Sequence, residues 1–246
     1  MAKTEYFYGV HSVESLLELE PERVLTLFTL KGRDDQRLKN VLALADPFGI
    51  SVQQASREKL EKLAGQPFHQ GVVAAVRPHP TLNEQDLDEL LKQNPQALLL
   101  ALDQVTDPHN LGACIRTAAA MGVEAVIVAR DRSASLTPTA RKIAAGGAEK
   151  VKFIQVTNLA RTLRELQERE IWVIGTDAEA QEDLYTAQWP EATAWVLGAE
   201  GDGMRRLTRE TCDQLVTIPM LGSVQSLNVS VASGVCLYEA RRRRVR

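Results

Sequence analysis

Asn110 and Arg116 stand six residues apart in Asp107-Pro108-His109-Asn110-Leu111-Gly112-Ala113-Cys114-Ile115-Arg116, where turn-forming residues give way to a helical pattern. A side-chain amide that donates and accepts stands here near a guanidinium that only donates, so the pair can hold polar groups of a partner. Two later segments mix glycine with the same few polar types. Gly198-Ala199-Glu200-Gly201-Asp202-Gly203 follows the apolar run Trp195-Val196-Leu197, and Ser226-Leu227-Asn228-Val229-Ser230 opens the last helical stretch. Each lies where a strand-like run meets a helix-like one, which is where open α/β sheets keep their ligands.

Each segment alone also fits a plainer role. Asp107, Asn110 and Ser226 are good N-caps, and the glycines suit a strand-to-helix turn. Arg116 falls among Ala113, Cys114, Ala118 and Ala119. Small residues pack closely, so the charge is expected to meet a specific partner, because an unpaired buried charge is costly. The glycine spacing is Gly-x-x-Gly-x-Gly rather than the Gly-x-Gly-x-x-Gly of dinucleotide sites, and no Gly-Lys-Ser/Thr exists. Glu200 inside the loop would repel a pyrophosphate. A nicotinamide-dependent oxidoreductase is therefore disfavoured, and the loop should face a neutral or cationic ligand.

The elements that must position these residues follow from periodicity. Strand-like apolar runs occupy 97–102, 125–129, 152–156, 171–175, 195–198 and 215–218, and helical spacing occupies 112–121, 138–144, 159–168 and 229–243, with a shorter stretch around 208–211. Continuous apolar strands call for a sheet buried on both faces, so 96–246 reads as an α/β domain with a mostly parallel sheet and helices on both sides. Residues 1–77 read as a small α/β domain, with helices at 9–19, 33–46 and 57–64 and strands at 24–30, 50–54 and 72–76. Between them, Pro78-His79-Pro80 and the acidic stretch after it mark 78–95 as a linker carrying a short helix at 84–93.

At 246 residues and 44% hydrophobic, the chain can bury a full core. It has no long apolar run and no signal-peptide pattern, and its three cysteines and four histidines are scattered. These features point to a soluble, cytoplasmic protein with no disulfide scaffold, no metal and no membrane segment. The net charge of −3 arises in residues 81–96, with one basic and four acidic side chains, while the flanking segments balance. A nucleic-acid partner must then meet local patches: Lys31, Arg33, Arg37 and Lys39, or Arg130, Arg132, Arg141 and Lys142. Arg241-Arg242-Arg243-Arg244 and Arg246 read as a solvated helix end, or else as an RNA-contacting tail.

Taken in order, Asn110…Arg116, Gly198-x-Glu200-Gly201-x-Gly203 and Ser226-Leu227-Asn228-Val229-Ser230 resemble the motifs of SPOUT-class methyltransferases, in the branch that methylates ribose 2′-hydroxyls of tRNA and rRNA. Tyr8-Gly9-Val10-His11-Ser12-Val13 and His69-Gln70-Gly71-Val72 resemble that branch's small substrate-binding domain, which is similar to the ribosomal L30e fold. The whole chain is similar to the bacterial enzymes that methylate a guanosine ribose in the P-site loop of the 23S rRNA peptidyl-transferase centre. The resemblance implies a trefoil knot in the catalytic domain and S-adenosyl-L-methionine as cofactor. It places cofactor contacts at Gly175–Thr176, Leu197, Gly198, Gly201, Ile218 and Leu227. It further implies a homodimer formed through the C-terminal domain. Asn110, Arg116, Glu200, Ser226 and Asn228 become the catalytic set, with Arg116 as base or as phosphate clamp and the others orienting it and the ribose. A tRNA substrate, or a catalytically silent RNA-binding assembly factor, are the competing expectations.

Overall fold

The computed structural model describes residues 4–78, 82–224 and 226–244. The chain divides into two compact units, Met1–Pro80 and Thr81–Arg246. In the first, β1 (Glu5–Tyr8), α1 (Val10–Leu19), β2 (Val24–Leu30), α2 (Gln36–Ala45), β3 (Ser51–Ala55), α3 (Arg57–Ala64) and β4 (Val72–Val76) follow one another. The sheet order is β1-β4-β2-β3, with β4 antiparallel to both neighbours and β3 parallel to β2. β4 is buried along its whole length because Val72, Ala74 and Val76 meet α1 and α2 while Val73 meets Leu60 of α3. The helix expected from Arg33 starts at Gln36, since Asp35 caps it by accepting the Leu38 amide at 3.0 Å.

The second unit runs α4 (Glu84–Gln93), β5 (Leu98–Asp103), α5 (Pro108–Ala120), β6 (Ala125–Ala129), α6 (Pro138–Ala144), β7 (Lys152–Val156), α7 (Leu159–Gln167), β8 (Trp172–Thr176), β9 (Glu182–Asp183), β10 (Thr193–Gly198), α8 (Arg206–Thr211), β11 (Gln214–Thr217) and α9 (Val229–Arg244). Its seven strands take the order β7-β6-β5-β10-β8-β11-β9, and every pair is parallel. Alternation on β5 feeds both layers: Leu98, Leu100 and Leu102 pack with α5 and α9, Leu99 and Ala101 with α4 and α7. β10 lies between β5 and β8, so the order switches direction there and the strand ends diverge.

One expectation is borne out and another corrected. The short helix expected at 84–93 forms with those bounds and packs on the sheet of the second unit. Asn83 and Asp86 make a capping box, and Leu87, Leu90 and Leu91 are buried against the sheet. Residues 79–81 of the expected linker at 78–95 lie outside the described residues.

The C-terminal arginines, read as a solvated or RNA-contacting end, instead bind the protein itself. Arg241 donates to the Met121 and Gly122 carbonyls, each at 2.8 Å. Arg243 donates to Glu239 and to the carbonyls of Leu184, Tyr185 and Ala187, and it stacks on Trp189 at 3.8 Å. Arg244 reaches the carbonyls of Ala97 and Glu191. The run therefore ties α9 to the segment before β10 and to the loop after α5. Arg246 lies outside the described residues.

Glu239 anchors this staple, and hydrogen bonds from Arg242 hold its carboxyl down at about 2 against an ordinary 4.5, with Arg243 adding to the effect. A depressed folded value contributes stability above the unfolded pKa and loses it as pH falls through the folded one. Glu239→Gln should cost about 1–3 kcal/mol at pH 7, the range for a hydrogen bond to a charged group. In denaturant titrations the gap from wild type should narrow as pH falls from about 4.5 towards 2. A gap independent of pH would remove Glu239 as the titrating anchor.

Candidate active site

β10 ends in a hairpin rather than running directly into a helix. Ala199 and Gly203 exchange backbone hydrogen bonds at 3.1 and 3.0 Å around Glu200-Gly201-Asp202. Gly201 and Gly203 have φ of +84° and +67°, which side chains resist. At Gly198 a Cβ would lie 2.0 Å from the Gly203 carbonyl carbon, so the crossing of the two hairpin arms demands glycine there.

The returning arm is fastened to β5. Asp103, wholly buried at the end of that strand, accepts from the Arg205 amide and Nε, both at 2.8 Å, and from Nη2 at 2.6 Å. This charge-assisted fork satisfies a carboxylate that water cannot reach. The pair was not foreseen, although an aspartate ending the apolar run Leu98–Leu102 is the signal that could have found it.

Glu200 is held at the hairpin tip by residues from two other segments. Its Oε1 accepts from Asn110 Nδ2 at 3.1 Å and from Asn228 Nδ2. Asn228 Nδ2 also donates to Asn110 Oδ1 at 3.0 Å. Asn110 stands in the first turn of α5, which begins at Pro108 rather than Gly112. Asp107 caps this helix through the His109 amide at 2.9 Å, and proline suits a helix's first position. Asn228 fills the capping place that the sequence gives to Ser226, its Oδ1 accepting the Ser230 amide at 2.9 Å and the Ser230 hydroxyl at 2.5 Å. Ser226 is exposed beside it.

Arg116 stays outside this group. It is exposed on α5 and has no partner among the described residues, so the argument from a buried charge does not apply to it. Its Cα lies against Gly147, where a Cβ would come within 3.2 Å. The guanidinium is open to a ligand.

The expected cofactor positions gather along one edge of the sheet. Register pairs Val196 with Gly175 and Val216 with Thr176, so Thr176, Leu197–Gly198 and Ile218 follow three adjacent parallel strands at their C-terminal ends. Thr176 donates its hydroxyl to the Val196 carbonyl at 3.4 Å. The Leu197 side chain belongs to the core, leaving only its backbone for a ligand, while Ile218 and Leu227 are half-buried. A Cβ at Gly201 would meet open space. Neither 197–204 nor 218–228 contains a lysine or arginine, and Glu200 carries a negative charge between them. Neutral backbone with a nearby carboxylate accommodates a cationic ligand and gives nothing to a phosphate.

Other chemistries find little support. Burial pushes the Cys114 thiol up to about 11 and the Cys212 thiol to about 12, and raises Cys236 as well, so none is a ready nucleophile. Among the described residues, no cluster of three His, Cys, Asp or Glu side chains could hold a metal ion, and no helix is long and apolar enough to cross a membrane.

With this geometry in place, comparisons with known proteins are specific. Residues 97–238 match the SpoU rRNA Methylase family, and residues 6–82 match a family described as RNA 2′-O ribose methyltransferase substrate binding. The chain is 71% identical to 23S rRNA (guanosine-2′-O-)-methyltransferase RlmB of Acinetobacter baylyi, covering all of both chains. It is 57% identical to the protein of the same name from Haemophilus ducreyi, over 98% of this chain and 99% of that one. Among solved structures, the SpoU methyltransferase AviRb from Streptomyces viridochromogenes, in complex with the cofactor AdoMet, aligns at a TM-score of 0.68 and 26% identity, covering 98% of this chain and 90% of that one. The Asn–Glu–Asn group at the diverging strand ends is thus that of a protein belonging to the SpoU rRNA methylase family.

Proposed function

We propose that this chain transfers the methyl group of S-adenosyl-L-methionine to the 2′-hydroxyl of a guanosine ribose in 23S rRNA, in the P-site loop of the peptidyl-transferase centre. The observation that carries the reading is the Asn110–Glu200–Asn228 group, drawn from three distant segments onto one edge of the sheet beside a cation-free pair of loops. The full-length identity to relatives named for this reaction supports the substrate. A cytoplasmic location follows from that substrate.

The cofactor supplies a methyl group on a positively charged sulfur. Backbone at Thr176, Leu197, Gly198, Gly201, Ile218 and Leu227 would hold it, with the Glu200 charge nearby. Positioning dominates such a displacement, and the protein's part is to fix the acceptor oxygen. Two side-chain amides fix the Glu200 carboxylate, and its free lone pairs can accept a ribose hydroxyl. Ser226 offers a further hydroxyl from the same loop. Arg116 remains protonated at any working pH, which makes it a fork for the neighbouring phosphate rather than a base.

The reading includes a trefoil knot formed by the segments around 197–203 and 218–228, and a homodimer through the C-terminal unit. Supporting the dimer are Val231 and Tyr238 of α9, 52% and 63% exposed and two turns apart on one helical face. They leave an apolar stripe that a second copy could cover. Tyr238→Glu should then shift the protein from dimer to monomer in sedimentation velocity. A wild-type monomer at micromolar concentration would end the dimer reading.

Incubation with labelled S-adenosyl-L-methionine and unmodified 23S rRNA or tRNA, followed by nuclease digestion and mass spectrometry, tests the reaction. One 2′-O-methylguanosine in the peptidyl-transferase region of 23S rRNA is expected, whereas label only in tRNA would overturn the substrate. Arg116→Ala should lower turnover by at least about a hundredfold, the scale of losing one preorganised charged contact, with S-adenosylhomocysteine affinity within about twofold. A variant that keeps most of its activity would remove Arg116 from the mechanism.

A further inference from the structure

At one end of the first unit's sheet, three chain segments lock together beneath a solvent-facing ring. Phe68 is 78% exposed. The residues after it are held firmly. His69 is buried, and its Nδ1 accepts the Gly71 amide at 2.9 Å. Gln70 and Gly71 adopt φ of +51° and +70°. Gln70 reaches both ways: its Oε1 accepts the Val10 amide at the start of α1 at 3.1 Å, and its carbonyl accepts Arg33 Nη1. Arg33 is braced in turn by Asp35. The Leu30 amide donates to the Gly71 carbonyl at 2.9 Å, and the Gly9 amide donates to the Val72 carbonyl at 3.1 Å. The left-handed glutamine costs conformational energy, and a ligand that covered the ring would recover the burial that it forgoes in water.

The surroundings identify the occupant's chemistry. The ring belongs to the unit whose residues 6–82 match a family described as RNA 2′-O ribose methyltransferase substrate binding, and that unit carries exposed cations. Beside Gly71, in the turn after β2, Lys31 is exposed and has no partner among the described residues. Arg33 and Lys39 are already engaged by Asp35 and Asp34. An exposed aromatic face in a unit with exposed cations, Lys31 nearest in the hydrogen-bonded turn and Arg37 on α2, suits an unpaired base and its phosphate.

We propose that Phe68 is a stacking platform for one unpaired base of the RNA substrate, with Lys31 on the flanking phosphate. The proposal rests on the RNA methyltransferase reading above, and assigns positioning residues to a unit that does no chemistry itself.

Steady-state methyl transfer to a 23S rRNA transcript and filter binding of the same transcript without cofactor test it together. Phe68→Ala should raise KM and weaken binding about tenfold, within the range for one base–aromatic stack, with kcat within about twofold. Phe68→Trp should restore both, and Phe68→Leu should not. Lys31→Ala should lower the salt dependence of binding by about one counterion. Unchanged binding by Phe68→Ala, or full rescue by leucine, overturns the stack. A change in sedimentation with Phe68→Ala would mean that a second copy covers the ring, and overturns it too. Wild-type protein that binds but never methylates would sink the reaction alone, because the binding series still decides the stack.

Discussion

A carboxylate shut away from water must be answered by a cation, and among the described residues Asp103 is answered from beyond the glycine hairpin. Arg205 brings three donors to it, from backbone and side chain together. Because the arginine's own amide takes part, the main chain itself is drawn to the end of β5, and the loop 199–203 has one place to stand. Removing the Arg205 side chain would leave the buried Asp103 carboxylate without its cation, the most damaging way to alter such a pair. The position of Glu200, and so of everything bonded to it, descends from this one contact.

The site is assembled by division of labour. Glycines supply close crossing at the hairpin, the buried pair supplies location, and the amides of Asn110 and Asn228 supply orientation. The cofactor-facing loops carry no cation, and their charges are the carboxylates of Glu200 and Asp202. Arg116 stands apart, its guanidinium without a partner among the described residues, which keeps it available to an anion arriving with the substrate.

Much of this was legible in the residues. Continuous apolar strands announced a sheet covered on both faces, and the three polar segments fell at strand ends. What escaped depended on partners remote in sequence. The arginine run looked solvated because its acceptors are carbonyls of residues 97, 121–122 and 184–191, which no local pattern reveals. Small residues around Arg116 suggested burial, yet its side chain is exposed: Cys114 and Ala118 turn into the core, while Gly112 and Ala119 let α6 and Gly147 come close to the helix. The helix at 84–93 was legible, but its packing was not, because charge masked Leu87, Leu90 and Leu91 on one helical face. β1 was missed for being short and mostly exposed.

The place of β10 in the sheet also has a temporal meaning. Its neighbours β5 and β8 are made earlier, and neither can complete its hydrogen bonds until residues 193–198 leave the ribosome. Pairings so distant in sequence close slowly, and unpaired strand edges are exposed while they wait. Asn228 arrives later still. A nascent chain therefore carries an open sheet until β10 emerges, and no assembled site until Asn228 does.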